Sequence, residues 1–258
     1  MSTSPSTERR PHCTVAVVHA APDPWGTMGA LADMVAPRTD LRIVVAGRDP
    51  FPDPTGIDLG IVMGSGASAY DDTVTWLADE LSWLKRMAEE SSVLAVCFGA
   101  QALARALGGT VEPSPEPEFG WATLQPGPAR PPTPPGPSDD PVPPARPPIG
   151  DAAAIVGPGP WFEFHSDRFT TPPGAEEVAH NAAGPQAFRY GRSLAVQFHP
   201  EMDRRALAAW RRSLGAGDPD IRSAIDRLEA GVLEAESAAR DRLATLVDTF
   251  WSTVAGFT

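Results

Sequence analysis

The chain is nearly without lysine: Lys85 stands alone among its 258 residues, and arginine supplies the rest of the 21 basic side chains. That skew reflects coding bias more than physics. Acidic residues outnumber basic ones, 33 to 21, for a formal net charge of −12. Nucleic acid and anionic membranes both demand a basic surface, so neither is an expected partner. Two cysteines, Cys13 and Cys97, are too few for a disulfide framework. No apolar run approaches the ~20 residues that a membrane helix needs. Residues 1–11 are polar, rich in Ser and Thr, and lack the apolar stretch of a secretion signal. A free thiol suits a reducing compartment, and the expected location is cytoplasmic. A Gly-x-x-x-x-Gly-Lys-[Ser/Thr] phosphate loop and a clustered set of Cys/His metal ligands are also missing. No cofactor and no metal is expected.

What is present is a regular alternation. With 42% apolar residues the chain can bury one substantial core. Thr14–His19, Leu41–Val45, Leu59–Met63 and Val93–Val96 read as short strands. Helical stretches follow over Thr27–Val35, Asp72–Glu90 and Ala100–Leu107. Short strands separated by helices indicate an α/β fold, a doubly wound, mainly parallel sheet with helices on both faces. From Thr110 to Gln197 the pattern shifts to short strands and turns, with a hairpin expected at Tyr190-Gly-Arg192. Asp218–Val254 reads as one or two helices able to cover a sheet edge or present a partner surface. The expected organisation is a disordered tail over 1–11, a domain over 12–215 and a helical extension over 216–258. Within the domain, prolines crowd the segment 126–148. Few N–H donors and a preference for polyproline geometry should keep it out of the sheet, as a disordered insertion.

The most informative residue is Cys97. It ends the apolar run Val93-Leu-Ala-Val96 and is followed at once by Phe98, Gly99 and a helix-forming stretch. This is how a strand-turn-helix elbow reads, with a nucleophile on the turn and helix N–H groups favouring negative charge there. About a hundred residues on, Gln197-Phe-His-Pro-Glu201 closes another apolar run. Residues i and i+2 of an extended strand point the same way, so Glu201 can orient His199. Pro200 biases His199 toward that extended geometry. A thiol, an imidazole and a carboxylate in this relation suit nucleophilic catalysis with a histidine as proton shuttle. His19, at the end of the first strand, is a neighbour of the same cleft.

Five ordered blocks carry a resemblance. Cys97-Phe-Gly-Ala-Gln101 with Ala106-Leu-Gly-Gly109, Met63-Gly-Ser-Gly-Ala-Ser-Ala-Tyr-Asp-Asp72, Glu118-Phe-Gly-Trp121 with Phe164-His-Ser-Asp167, Gln186-Ala-Phe-Arg-Tyr-Gly191, and Gln197–Glu201 resemble the class I glutamine amidotransferases. The likeness is to their free-standing members, similar to the glutaminase domain of guanylate synthase, and runs from about Val15 to Trp210. It implies a flavodoxin-like sheet and hydrolysis of the L-glutamine side-chain amide. Cys97 would be the nucleophile, His199 the proton shuttle and Glu201 its partner. The oxyanion hole would come from the N–H groups of Phe98 and Ser65, and the substrate would be held by Gly64, Gln101, His165, Ser166 and Asp167.

Two departures mark the chain. The family usually has Gly-Gly-Pro where this sequence has Gly64-Ser65-Gly66, and serine tolerates positive φ less well than glycine. Ala95 replaces the usual glycine two residues before the nucleophile. The resemblance implies that ammonia passes to a separate synthetase, for which the proline-rich segment could serve as a docking arm. One alternative keeps the three residues and takes a γ-glutamyl amine instead of glutamine. Another is a non-catalytic regulatory protein with a degenerate site.

Overall fold

Apolar strands and amphipathic helices alternate through the first half of the computed structural model, which describes residues 12–20, 22–128, 153–214 and 218–257. The tail 1–11 and residues 129–148 of the proline-rich segment lie outside the described residues. In chain order the first half runs β1 (His12–Val18), α1 (Pro24–Thr27), α2 (Gly29–Val35), β2 (Thr39–Val45), β3 (Leu59–Val62), α3 (Leu77–Glu90), β4 (Ser92–Val96) and α4 (Phe98–Ala106). The second half runs β5 (Val111–Ala122), β6 (Gln125–Pro126), α5 (Ala153–Val156), β7 (Trp161–Phe169), β8 (Glu176–Asn181), β9 (Gly184–Tyr190), β10 (Ser193–Val196), α6 (Arg204–Ser213) and α7 (Pro219–Thr249).

An 8-stranded sheet takes the order β2-β1-β3-β4-β10-β9-β8-β6. Its first five strands are parallel, and β9, β8 and β6 are antiparallel. The parallel part has the flavodoxin-like order, whose ligand crevice opens at the carboxyl ends of the strands beside the β1/β3 switch point. Side chains alternate between the two faces with the period of two that strands impose. Val15 and Val17 of β1 join Trp83, Leu84 and Met87 of α3 and Leu103 of α4 on one face. Ala16 and Val18 join Leu31 of α2 and Leu243, Leu246 and Val247 of α7 on the other. Each such fully buried leucine or valine contributes roughly 1.5–3 kcal/mol relative to exposure. β5 and β7 pair as a separate two-stranded ribbon.

Several boundaries differ from the sequence expectation, each for a local reason. The helix expected from Asp72 starts at Leu77, because the Asp71 carboxylate accepts from the Thr73 N–H and hydroxyl and bends the chain into turns first. The stretch Thr27–Val35 breaks at Gly29, whose φ is +48°. A Cβ there would lie 2.3 Å from the Glu201 carbonyl, which instead receives the Ala30 N–H at 3.0 Å. Pro126, expected outside the sheet, pairs with Ala179 at its edge, a position where a missing N–H costs nothing. The hairpin forms as expected: Tyr190 faces Ser193, and Gly191 at φ +57° supplies the left-handed turn. The C-terminal segment is one 31-residue helix that lies against a face of the sheet, continued by a π-turn over Phe250–Val254.

Candidate active site

Cys97 sits on the β4-to-α4 turn at φ 53° and ψ −110°, the one non-glycine residue with positive φ among those described. Such a conformation costs of order 1–3 kcal/mol and needs a surrounding structure that enforces it. The enforcement is visible. The Cys97 N–H donates to the Val196 carbonyl at 2.8 Å, and a Cβ on Gly99 would come within 2.3 Å of the Val62 carbonyl oxygen. Only glycine lets α4 start this close to β3. The Ala95 methyl is fully buried in the sheet-face core.

His199 reaches the thiol from the end of β10. Its backbone N–H donates to the Phe162 carbonyl at 2.7 Å, and Nδ1 donates to Glu201 Oε1 at 2.8 Å. That leaves Nε2 for the Cys97 sulfur. Burial works against a charge on this ring, but Cys97 and Glu201 beside it outweigh that and hold the imidazole pKa well above its usual value. Glu201 is held in turn through its backbone by α2. Trp210 of α6 sets an edge on the His199 ring at 4.7 Å, and α6 itself begins where Asp203 accepts from the Arg205 and Ala206 N–H groups.

Gly64 and Ser65 follow β3 and face the same point. A Cβ on Gly64 would lie 2.9 Å from His199 Cε1 and 3.7 Å from Cys97 Cβ, so this loop presses its backbone against both. The strain expected for serine in the Gly-Ser-Gly loop is absent: Ser65 has no positive φ, and its Oγ accepts from the Ala67 N–H at 3.1 Å to form its own turn. Neither the Ser65 nor the Phe98 N–H donates to an acceptor among the described residues.

Of the ten residues singled out from the sequence, nine line one cleft of about 940 Å³, with Glu201 behind His199. Gln101 is committed to the scaffold: its Nε2 donates to the Asp167 carbonyl at 3.1 Å and to Gln197 Oε1 at 3.2 Å. The Asp167 carboxylate accepts from the Ser68 hydroxyl at 2.7 Å, and Ser166 is exposed. His165 Nδ1 donates to the Asp167 carbonyl at 3.0 Å, while Nε2 lies 3.1 Å from Glu118 and 3.3 Å from Glu163. Both nitrogens therefore carry hydrogen. Burial opposes the charge, the two carboxylates overcome it, and the His165 pKa is raised to about 10. Burial also pushes the Glu163 carboxyl up. Glu118, Glu163 and His165 are the group among the described residues whose ligand atoms, within 4.8 Å of one another, lie close enough to hold a cation. The His165 ring already stands between both carboxylates there.

Three parts of the site escaped the sequence reading. Gln197 points its Nε2 at Cys97 Sγ, 3.7 Å away. His19 pairs with Glu80, a carboxylate with 0% exposure on the same side of α3 as Leu77, Trp83, Leu84 and Met87. That placement was the available signal, since a glutamate on an apolar stripe needs a buried partner. Finally, α6 and the first turns of α7 wall the cleft with Trp210, Leu214, Ile221 and Leu228, continued by Phe164 and Phe119 of the ribbon.

No family model matches the chain. It is 31% identical over 150 residues to a glutamine-hydrolysing GMP synthase of Aromatoleum aromaticum, covering 55% of this chain and 25% of that protein. It is 30% identical over 164 residues to one subunit of the glutamine-hydrolysing GMP synthase of Ignicoccus hospitalis, covering 59% of this chain and 71% of that one. The chain thus spans about a quarter of the larger relative. Among solved structures, a glutamine amidotransferase from Thermotoga maritima superposes with a TM-score of 0.73 at 19% identity, covering 94% of this chain and 99% of that one. One from Methylobacillus flagellatus gives 0.71 at 21% identity, with 95% and 96% covered. Among the described residues no helix is long and apolar enough to cross a membrane.

Proposed function

The chain belongs to the class I glutamine amidotransferases, and from that premise we propose that it hydrolyses the side-chain amide of L-glutamine through a glutamyl-thioester on Cys97. The observation that carries this is the His199 ring, bonded to Glu201 at 2.8 Å through one nitrogen and lining the same cleft as Cys97. The Cys97 thiolate attacks the amide carbon, and His199 gives its proton to the departing nitrogen, which leaves as ammonia. Water then loses a proton to His199, attacks the thioester and releases glutamate. The oxyanion of each tetrahedral species would meet the N–H groups of Phe98 and Ser65, where losing one donor typically costs about 10²–10³ in rate. Ser166 and Asp167, the latter fixed through its carbonyl by Gln101 and His165, would hold the amino-acid end. The relatives' names, one of them that of a single subunit, support delivery of the ammonia to a separate synthetase. A thiol nucleophile suits a cytoplasmic location. The test is ammonia release from L-glutamine by the purified chain, with Cys97→Ala as control. Release that survives this substitution sinks the reading.

A second reading keeps the thioester and changes the leaving group. His199 protonates the leaving nitrogen, and the wall that begins on its ring at Trp210 is aromatic out to Phe119, which is 51% exposed. A cleft of about 940 Å³ is more than glutamine, with about ten non-hydrogen atoms, would fill. A γ-glutamyl amide of an apolar amine fits that room. Trp210→Ala should then lower kcat/KM for a γ-glutamyl anilide at least about tenfold more than for glutamine. Equal losses on the two substrates count against this reading.

A further inference from the structure

His19 and Glu80 form a second buried histidine–glutamate pair beside the cleft, and the chemistry above leaves it without a task. Their side chains are 3% and 0% exposed, and His19 Nε2 lies 3.0 and 3.3 Å from the two Glu80 oxygens. The other nitrogen, Nδ1, lies 3.1 Å from the Gly64 carbonyl oxygen. A carbonyl only accepts, so Nδ1 carries the hydrogen and the ring donates to the loop. Trp76 lies against the imidazole at 4.9 Å and the Phe98 ring meets it edge-on at 4.8 Å, so the ring has little freedom to turn.

We propose that the Glu80–His19 pair is a positioning device: it holds the Gly64–Ser65 peptide with its carbonyl away from the cleft and the Ser65 N–H turned into it, before substrate arrives. The inference rests on the glutaminase reading and assigns that site a residue pair it did not include. In a planar trans peptide the carbonyl oxygen and the following N–H leave from opposite edges. Fixing the Gly64 oxygen on His19 therefore fixes the direction of the Ser65 N–H. That N–H has no acceptor among the described residues, in a loop whose α-carbon at Gly64 faces both His199 and Cys97. Gly64 could let this peptide rotate, because glycine resists few backbone conformations. A rotated peptide would aim a carbonyl at the place where negative charge develops, replacing a donor with a repelling dipole. The same His19 ring also touches Phe98, whose N–H is the other donor. One histidine thus braces both arms of the hole, and Glu80 braces the histidine.

The experiment compares full-length wild type, His19→Ala, His19→Gln and Glu80→Gln in two assays. The first is glutamine hydrolysis, with kcat and KM taken separately. The second is alkylation of Cys97 by iodoacetamide, a displacement at saturated carbon that forms no oxyanion. His19→Ala should lose about 10²–10³ in kcat, with KM and the alkylation rate within about threefold of wild type. His19→Gln, which keeps an N–H for the Gly64 carbonyl, should recover at least about tenfold of that loss, and Glu80→Gln should lose about tenfold. If His19→Ala is recovered unfolded, Glu80→Gln alone decides: an unchanged kcat overturns the inference. Hydrolysis kept within about threefold in His19→Ala also overturns it, as does a parallel loss of hydrolysis and alkylation, which would mean general disorder of the site. In each of these cases the wild type still releases ammonia and the glutaminase reading stands. A wild type that alkylates yet releases no ammonia fails that reading first, and the inference falls with it.

Discussion

Two buried histidine–glutamate pairs flank the Cys97 elbow, and the nitrogen each leaves over separates their tasks. His199 spends Nδ1 on Glu201 at 2.8 Å and keeps Nε2 for the sulfur. His19 spends Nε2 on Glu80 at 3.0 Å and Nδ1 on the Gly64 carbonyl at 3.1 Å, so neither nitrogen is left to move a proton. On the proposed reading the first pair exchanges protons with a reacting atom and the second holds a backbone still. They also differ in how they are assembled. His199 and Glu201 are two residues apart in the turn that follows β10, whereas His19 and Glu80 stand 61 residues apart, one just after β1 and the other on α3. The same two residue types acquire different roles from what surrounds them.

The largest losses are expected at Cys97 and His199. Cys97→Ala and His199→Ala should each remove nearly all turnover, a loss on the order of 10⁶, because such groups act as a unit. His199→Ala should also slow iodoacetamide alkylation of Cys97, since the thiolate loses its partner, whereas His19→Ala should not. Glu201→Gln comes next, with a loss of about 10³–10⁴ in kcat, because an amide can present the wrong group to Nδ1 and offers no charge to the imidazolium. A Glu201→Gln enzyme within about fivefold of wild type would mean that the hydrogen bond at 2.8 Å does nothing for the proton transfer.

The same contrast sets what the sequence could disclose. The elbow and Gln197–Glu201 are short runs whose strand, turn and spacing are written locally, and the parallel α/β sheet follows from the alternation of such runs. Glu80 needed a different inference, that a carboxylate on the apolar stripe of α3 must have a buried partner, and nothing local names His19 as that partner. Gly29 is similar: its left-handed φ makes sense only once the Glu201 carbonyl arrives 2.3 Å from where a Cβ would stand. The wall of Trp210, Ile221 and Leu228 depends on α6 and α7 folding back over the ribbon, a long-range packing event with no local signature. Serine in the Gly64-Ser65-Gly66 loop raised an expectation of strain that fails, because the loop turns on the Ser65 hydroxyl and not on a positive φ.

A third buried histidine carries the smallest expected effect, on stability and not on rate. His165 stands between Glu118 and Glu163 with its pKa raised to about 10, against about 6.5 for an unfolded histidine. A raised folded pKa means that the native state binds the proton more tightly than the unfolded chain. The stability this contributes is complete below pH ~6.5 and is lost as pH climbs toward ~10. Glu163, pushed up by burial, acts with the same sign, since ionising it in the fold is also unfavourable. Glu118→Gln removes the exposed-side carboxylate that holds the imidazolium. The Tm gap between wild type and Glu118→Gln should therefore be widest near pH 6.5 and close toward pH 10, by about 2–4 °C for each kcal/mol of linkage. A gap for Glu118→Gln that stays constant across that window would show that His165 is not held as a cation, and that only the pairs at His19 and His199 distinguish this cleft.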